Sequence, residues 1–144
     1  MNNKLVKFDE SKRMERIANL ISEYATEMFT GWEFEVQQRD DGYYVETSRI
    51  SPMGYVLHIG CLVGKETVEI GVISDGCKLQ RKRVEQEVDK IMFPVIAILV
   101  NEELLLLKNY VTTSGMETDV ASVVLNRMLL MMNAILEFVM GKIA

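Results

Sequence analysis

The chain has 144 residues, of which 49% are hydrophobic and 26% charged, and its formal net charge is -5 with a pI near 5.0. This composition predicts one globular domain over residues 1–144, and the acidic balance argues against nucleic acid as a partner because phosphate binding requires a basic surface. We expect a cytoplasmic protein. The two cysteines suit a reducing compartment, the N-terminal residues lack the apolar core of a signal peptide, and no apolar run reaches the roughly 18 residues of a membrane span.

The first half of the chain predicts one helix followed by a β-meander. Apolar residues recur at three- and four-residue steps from Asp9 to Phe29, which is typical of an amphipathic helix, and Gly31 provides the turn after it. From Trp32 to Ser74 the pattern changes to alternation, which indicates about four antiparallel strands. Asp41-Gly42 is a strong turn signal between two of them, because glycine accepts a positive φ.

The next part of the chain predicts a second helix and a hairpin. The helix extends from Lys78 to Phe93, where Pro94 ends it because proline cannot continue the hydrogen-bond ladder. In the stretch Val95–Thr113 two apolar runs flank Asn101-Glu102, and we interpret it as a β-hairpin. A continuous helix from Val95 to Tyr110 is the alternative.

The last predicted helix, Asp119–Ala144, is apolar around most of its circumference. Ser114 and Glu117 have the spacing of a capping box at its start. Its polar residues fall on one narrow stripe, so other parts of the protein must cover most of the remaining surface; the stripe consists of Ser122, Asn126, Asn133 and Glu137. The element order α-β-β-β-(β)-α-β-β-α predicts an α+β domain with an antiparallel sheet that carries its helices on one face.

Few residues suggest chemistry. His58 is the only histidine, and Cys61, three residues away on the same predicted strand, points to the opposite face, so the two do not form a ligand pair. We expect His58 to be packed or hydrogen-bonded in the sheet. Asp40 and Asp41 could hold a cation or act as paired acids, but their place beside Gly42 favours a turn. No metal, phosphate-binding or nucleophile motif is present, so the sequence predicts no catalytic residue, metal site or cofactor.

A basic patch opens the second predicted helix. Cations at that end oppose the helix dipole, so a role in helix stability does not explain them. They could bind an acidic peptide or an acidic lipid, or simply form a solvated helix start. The patch consists of Lys78, Arg81, Lys82 and Arg83.

Methionine is abundant, with 10 residues in the chain, and it gathers in the last predicted helix. Because its side chain is unbranched and polarisable, methionine adapts to varied partners. We therefore predict a partner-binding set on this helix, with core filling as the alternative. The set consists of Met128, Met131, Met132, Ile135 and Met140.

The element order, the hairpin Val95–Thr113 and the final helix opened by Ser114-Gly115-Met116-Glu117 resemble the type III secretion chaperone-like fold, which secretion chaperones share with the YbjN-type sensory transduction regulators. The resemblance covers nearly the whole chain. It implies a non-catalytic cytoplasmic homodimer, and in the chaperone branch it implies that apolar grooves hold an extended segment of a client. It brings no catalytic residues.

Three hypotheses of function follow. The first is a non-catalytic, chaperone-like or regulatory domain that binds a protein or peptide as a homodimer. The second is a small-molecule sensor with a pocket between sheet and helices near Tyr43, Tyr55 and His58. The third is an enzyme that uses Asp40, Asp41 or His58.

Overall fold

The computed structural model describes residues 3–143, with side chains from residue 10 to residue 136. The predicted α+β class and element order are confirmed, including the fourth strand of the meander. The elements are α1 (Asn3–Met28), β1 (Glu35–Arg39), β2 (Gly42–Ile50), β3 (Val56–Val63), β4 (Thr67–Asp75), α2 (Arg81–Asp89), β5 (Ile96–Val100), β6 (Leu104–Thr112) and α3 (Glu117–Ile143).

The six strands form one antiparallel sheet in the order β1-β2-β3-β4-β6-β5. The last hairpin therefore joins the meander through β6 and leaves β5 at the edge of the sheet. This confirms the hairpin interpretation of Val95–Thr113. At its tip Asn101 and Glu102 have φ of 53° and 59°, and the Glu103 amide donates to the Val100 carbonyl. Two left-handed residues in succession suit a hairpin, because this turn matches the twist of its strands.

The core lies between one face of the sheet and the helices α1 and α3. The residues Val45, Cys61 and Ile70 lie side by side on β2, β3 and β4, and each is at most 1% exposed. Helix α1 contributes Ile17 to this core and α3 contributes Met128, both fully buried. Helix α2 lies beside α3. The expected placement of the helices on one face of the sheet is confirmed for the described elements.

The turn at Asp41-Gly42 is where the chain requires a glycine. Gly42 has a φ of 150°, and a β-carbon there would collide with the carbonyl oxygen of Val63 on β3. A side chain at this position would therefore push β2 and β3 apart.

Helix α2 is shorter than the predicted Lys78–Phe93. It ends at Asp89, and the next two amides donate to carbonyls three residues back instead of four. The reason lies downstream, because the residue before Pro94 is biased away from helical φ and ψ. Met92, which the predicted helix included, lies beyond the end of α2 and is 95% exposed.

The predicted capping box is wrong. Helix α3 begins at Glu117 itself, whose carboxylate accepts hydrogen bonds from Arg16 of α1. The Ser114 hydroxyl bonds to the Thr112 hydroxyl. Neither side chain is placed to cap the helix as predicted.

The boundaries of two further elements also moved. Helix α1 begins at Asn3 instead of Asp9, and the first strand begins at Glu35 instead of Trp32. In helix α3 the segment Glu117–Leu136 is long and apolar enough to cross a membrane by length and composition alone, and 50% of that segment is buried inside the fold.

Candidate functional site

The candidate site is the face of the sheet that points away from α1 and α3, here called the helix-free face. At its β5 end it carries an apolar patch. In the middle of the patch Ile98, Leu106 and Ile73 lie directly opposite one another on β5, β6 and β4. The β5 residues are the most accessible, with Ile96 51%, Ile98 45% and Val100 44% exposed. The full patch consists of Ile73, Ile96, Ile98, Val100, Leu104 and Leu106.

The first half of strand β6, Leu104–Leu107, is apolar on both faces, although the described helices cover only one. Leu105 and Leu107 are fully buried against the helices, while Leu104 and Leu106 are half-buried on the helix-free face. Strands with this composition are usually covered on both sides. The described part of the chain supplies no helix for the second side, so a large apolar surface is left in contact with solvent.

A groove of about 330 Å³ lies beside the apolar patch in the centre of the helix-free face. Gly60 and Gly71 are opposite one another on β3 and β4, so the floor of the groove is bare backbone. Tyr44 forms one wall, with its ring against Gly60 and the Arg39 guanidinium 4.6 Å from the ring centroid. Burial, together with the negative charge of Glu46, raises the pKa of Tyr44. Leu106 forms part of the opposite wall.

Polar groups surround this groove, and each has a partner within the sheet. Lys108 donates to Glu69 across 2.9 Å, and this hydrogen bond is the main reason that the pKa of Lys108 is raised. The Tyr110 hydroxyl donates to the same carboxylate. The opposite charges of Lys108 and Glu69 therefore compensate each other in a polar rim beside the apolar patch.

His58 is hydrogen-bonded in the sheet, as predicted. Its Nδ1 lies 2.7 Å from the Ser48 hydroxyl, and its Nε2 lies 3.5 Å from a carboxylate oxygen of Glu46. The three groups follow the order of a serine, histidine and acid relay. They stand on an open strand surface with Ser48 exposed, whereas such a relay acts at a site from which water is excluded. The arrangement therefore supports a structural role for His58.

The pocket proposed between sheet and helices needs a correction. Tyr43 is 8% exposed on the helix side, where its hydroxyl donates to Glu15 of α1, and Tyr55 packs at the edge of the core. His58 lies on the helix-free face. One pocket cannot be lined by both Tyr43 and His58, because the sheet separates them.

The predicted partner-binding methionines lie in the core of the subunit. Met128 and Met131 are fully buried, Ile135 is 1% and Met132 is 7% exposed, and the Met140 side chain lies outside the described residues. A partner could contact the four buried side chains only if α3 moved away from the sheet, and their role in binding stays a prediction.

The other predicted sites are exposed. Lys78, Arg81, Lys82 and Arg83 are exposed at and just before the start of α2. The Leu79 amide there donates to the Glu102 carbonyl in the turn between β5 and β6. Asp40 and Asp41 form the turn between β1 and β2. In the part of the chain with described residues, no group of three histidine, cysteine, aspartate or glutamate side chains could hold a metal ion.

The apolar patch is the site that the sequence analysis missed. Its signal was present, since Ile96, Ile98 and Val100 share one face of β5 and the run Leu104–Leu107 is apolar on both faces of β6.

Comparison with family models, with characterised proteins and with solved structures gives no match to this chain.

Proposed function

We propose that the protein is a non-catalytic protein-binding domain, chaperone-like or regulatory, that acts as a homodimer. Its binding surface is the helix-free face of the sheet, and its partner is an extended segment of another protein. The observation that carries this proposal is the apolar patch on strands that have apolar side chains on both faces. Contiguous exposed apolar surface of this kind marks interaction sites in soluble proteins.

The layout of the helix-free face supports a protein segment as the partner. The apolar patch and the central groove lie side by side, and the polar groups of Glu69, Lys108 and His58 lie beside them. An apolar centre with a polar rim is the usual anatomy of a protein interface. The groove is large enough for an apolar side chain of the segment to rest on the glycine floor.

A second candidate function is the binding of a small molecule in the same central groove. The observation that favours it is the convergence of Tyr44, His58 and Lys108 on about 330 Å³ of space, which is near the lower limit for ligand pockets. A fragment screen followed by NMR tests it. Ligands that perturb these three residues with no protein partner present support this candidate.

The test of protein binding is a pull-down with mass spectrometry, which compares Leu106→Asp with Leu130→Asp. Leu106 lies in the apolar patch, whereas Leu130 is a 44% exposed leucine of α3 on the far side of the sheet. We expect a partner that the wild-type protein and Leu130→Asp retain and that Leu106→Asp loses by at least about tenfold, equivalent to ~1.4 kcal/mol. Hydrogen exchange of the complex should then show protection on β5 and β6.

Capture that Leu106→Asp leaves unchanged would contradict the proposed surface. Protection confined to α1 and α3 would place the partner on the helices instead. Circular dichroism of both variants must show the wild-type spectrum, because a variant that fails to fold also fails to bind.

A further inference from the structure

Strand β5 is an edge strand without the usual protection against pairing. Its residues Ile96–Val100 include no charge and no proline, and only Leu99 packs against the core. Ala97 is exposed even on the helix side of the sheet, where its neighbour Leu107 on β6 is fully buried. The helix layer thus ends at β6. An exposed apolar edge strand is a template for another strand.

The opposite edge of the sheet differs in this respect. Strand β1 has the sequence EVQQR, so Glu35 and Arg39 place charges along it. Charged side chains are a common device that keeps edge strands from pairing. Any pairing that continues the sheet is therefore favoured at β5.

We propose that two copies of this chain pair through their β5 strands, antiparallel and with Ile98 opposite Ile98 of the second copy, to form one continuous sheet. This inference rests on the homodimer in the proposed function and specifies its interface. The occupant of the β5 edge is thus a second copy of the chain, because the strand is complementary to itself.

The complementarity follows from the order of side chains in β5. In this register Ile96 lies opposite Val100 of the second copy, so the helix-free face gains an uninterrupted ladder of β-branched residues. Cross-strand pairs of such residues stabilise antiparallel sheets. On the other face the small Ala97 lies opposite the larger Leu99, which avoids both a clash and a gap. No like charges meet anywhere in the ladder.

The pairing also joins the two binding surfaces. Each subunit carries its apolar patch at the β5 end of the helix-free face, so pairing brings the two patches together across the twofold axis. The dimer would then offer a client segment one apolar surface that spans both subunits. Both subunits present it on the same side of the joined sheet only if β5 pairs antiparallel about an axis perpendicular to the sheet.

Disulfide crosslinking of the full chain tests the register. In the proposed pair the two Cα atoms of residue 98 would lie about 4.5–5.5 Å apart, within the range for a disulfide. We expect Ile98→Cys to give a covalent dimer under mild oxidation. The native thiols of Cys61 and Cys77 are buried, and burial raises the pKa of Cys61 to about 12, so they do not compete.

Two variants serve as register controls. Ile96→Cys should not crosslink, because residues 96 of the two copies would lie four residues apart, about 14 Å along the strand. The double variant Ile96→Cys/Val100→Cys should crosslink, because position 96 of each copy would lie opposite position 100 of the other copy. Equal crosslinking of all three variants would indicate random collision and would overturn the inference.

Light scattering of the unmodified protein separates this inference from the proposed function. A dimer that crosslinks at Ile98→Cys supports both. A dimer in which Ile98→Cys does not crosslink overturns the β5 interface and leaves the homodimer intact. A monomer at about 100 µM overturns both the interface and the homodimer, while the pull-down with Leu106→Asp still decides the binding surface.

Discussion

Arg16 and Glu117 join the two long helices at the start of α3. The Arg16 Nε lies 3.0 Å from both carboxylate oxygens, and its Nη2 lies 2.8 Å from one of them. Arg13 adds a hydrogen bond to the carbonyl oxygen of Gly115. The two arginines of α1 thereby fix the point at which the chain leaves the sheet and enters α3. The carboxylate also lies at the positive end of the α3 dipole, which stabilises its charged form.

This pair predicts a stability that depends on pH. The hydrogen bond from Arg16 lowers the pKa of Glu117 below its ordinary value of 4.5. A carboxyl group with a lower pKa in the folded state stabilises the fold above its unfolded pKa, and the stabilisation is lost as the pH falls through the folded pKa. We expect Glu117→Gln to reduce the free energy of unfolding near neutral pH by about 0.2–1 kcal/mol, since both side chains are partly exposed.

Urea denaturation at a series of pH values measures this difference. The gap between wild type and Glu117→Gln should shrink as the pH falls below about 4. Glu85→Gln, on an exposed position of α2, is the matched control and should change stability by less than about 0.5 kcal/mol. A constant gap over the whole pH range would show that the ion pair is not its cause.

Local patterns identified some of these residues but not their partners. The spacing of Ser114 and Glu117 located the start of α3 but predicted the wrong role for both side chains. Glu117 binds Arg16, which is 101 residues away in sequence, and local spacing cannot reveal such a distant partner. The environment of His58 was easier to predict. An apolar strand with one polar residue favours a cross-strand hydrogen bond, which Ser48 supplies.

At the scale of elements, α3 shows which information the sequence lacked. The helix is apolar nearly all round, so periodicity predicted the helix without indicating its buried face. The structure buries Met128 and Met131 and leaves Val123 and Leu130 more than one third exposed. The turn-forming segments were more informative. Asn101-Glu102 divides the second apolar region, and this signal distinguished the hairpin from a helix.

The buried face of α3 predicts unequal effects of two neighbouring substitutions. Met131→Ala removes a fully buried side chain and leaves a cavity in the core beside α3, so we expect it to lower the free energy of unfolding by about 2–5 kcal/mol. Leu130→Ala removes a side chain that is 44% exposed and should lower it by less than about 1 kcal/mol. Chemical denaturation measures both. Similar losses would mean that α3 is rotated or displaced in solution, with its methionines accessible to a partner.

At the scale of the whole molecule, the described helices form one layer, whereas the sheet carries apolar side chains on both faces at its β5 end. The run Leu104–Leu107 and the strand Ile96–Val100 already implied cover on both sides. The sequence could not reveal which face of the sheet the described helices leave uncovered. That depends on the side on which the connection from β4 through α2 to β5 crosses the sheet. It passes beside α3, so α2 joins the layer of helices that is already present.

A dimer joined at β5 predicts thermal unfolding that depends on protein concentration. Association stabilises the folded state by mass action, so each tenfold increase in concentration should raise the Tm by roughly 1–4 °C. Ile98→Lys would place two ammonium groups near the twofold axis, and we expect it to abolish this dependence while the far-UV spectrum is unchanged. Val123→Lys, at a 40% exposed position of α3, should retain the dependence. A wild-type Tm that does not vary with concentration would contradict the dimer. Loss of the dependence in Val123→Lys alone would place the contact between subunits on α3, and the helix-free face would then be covered by the client alone.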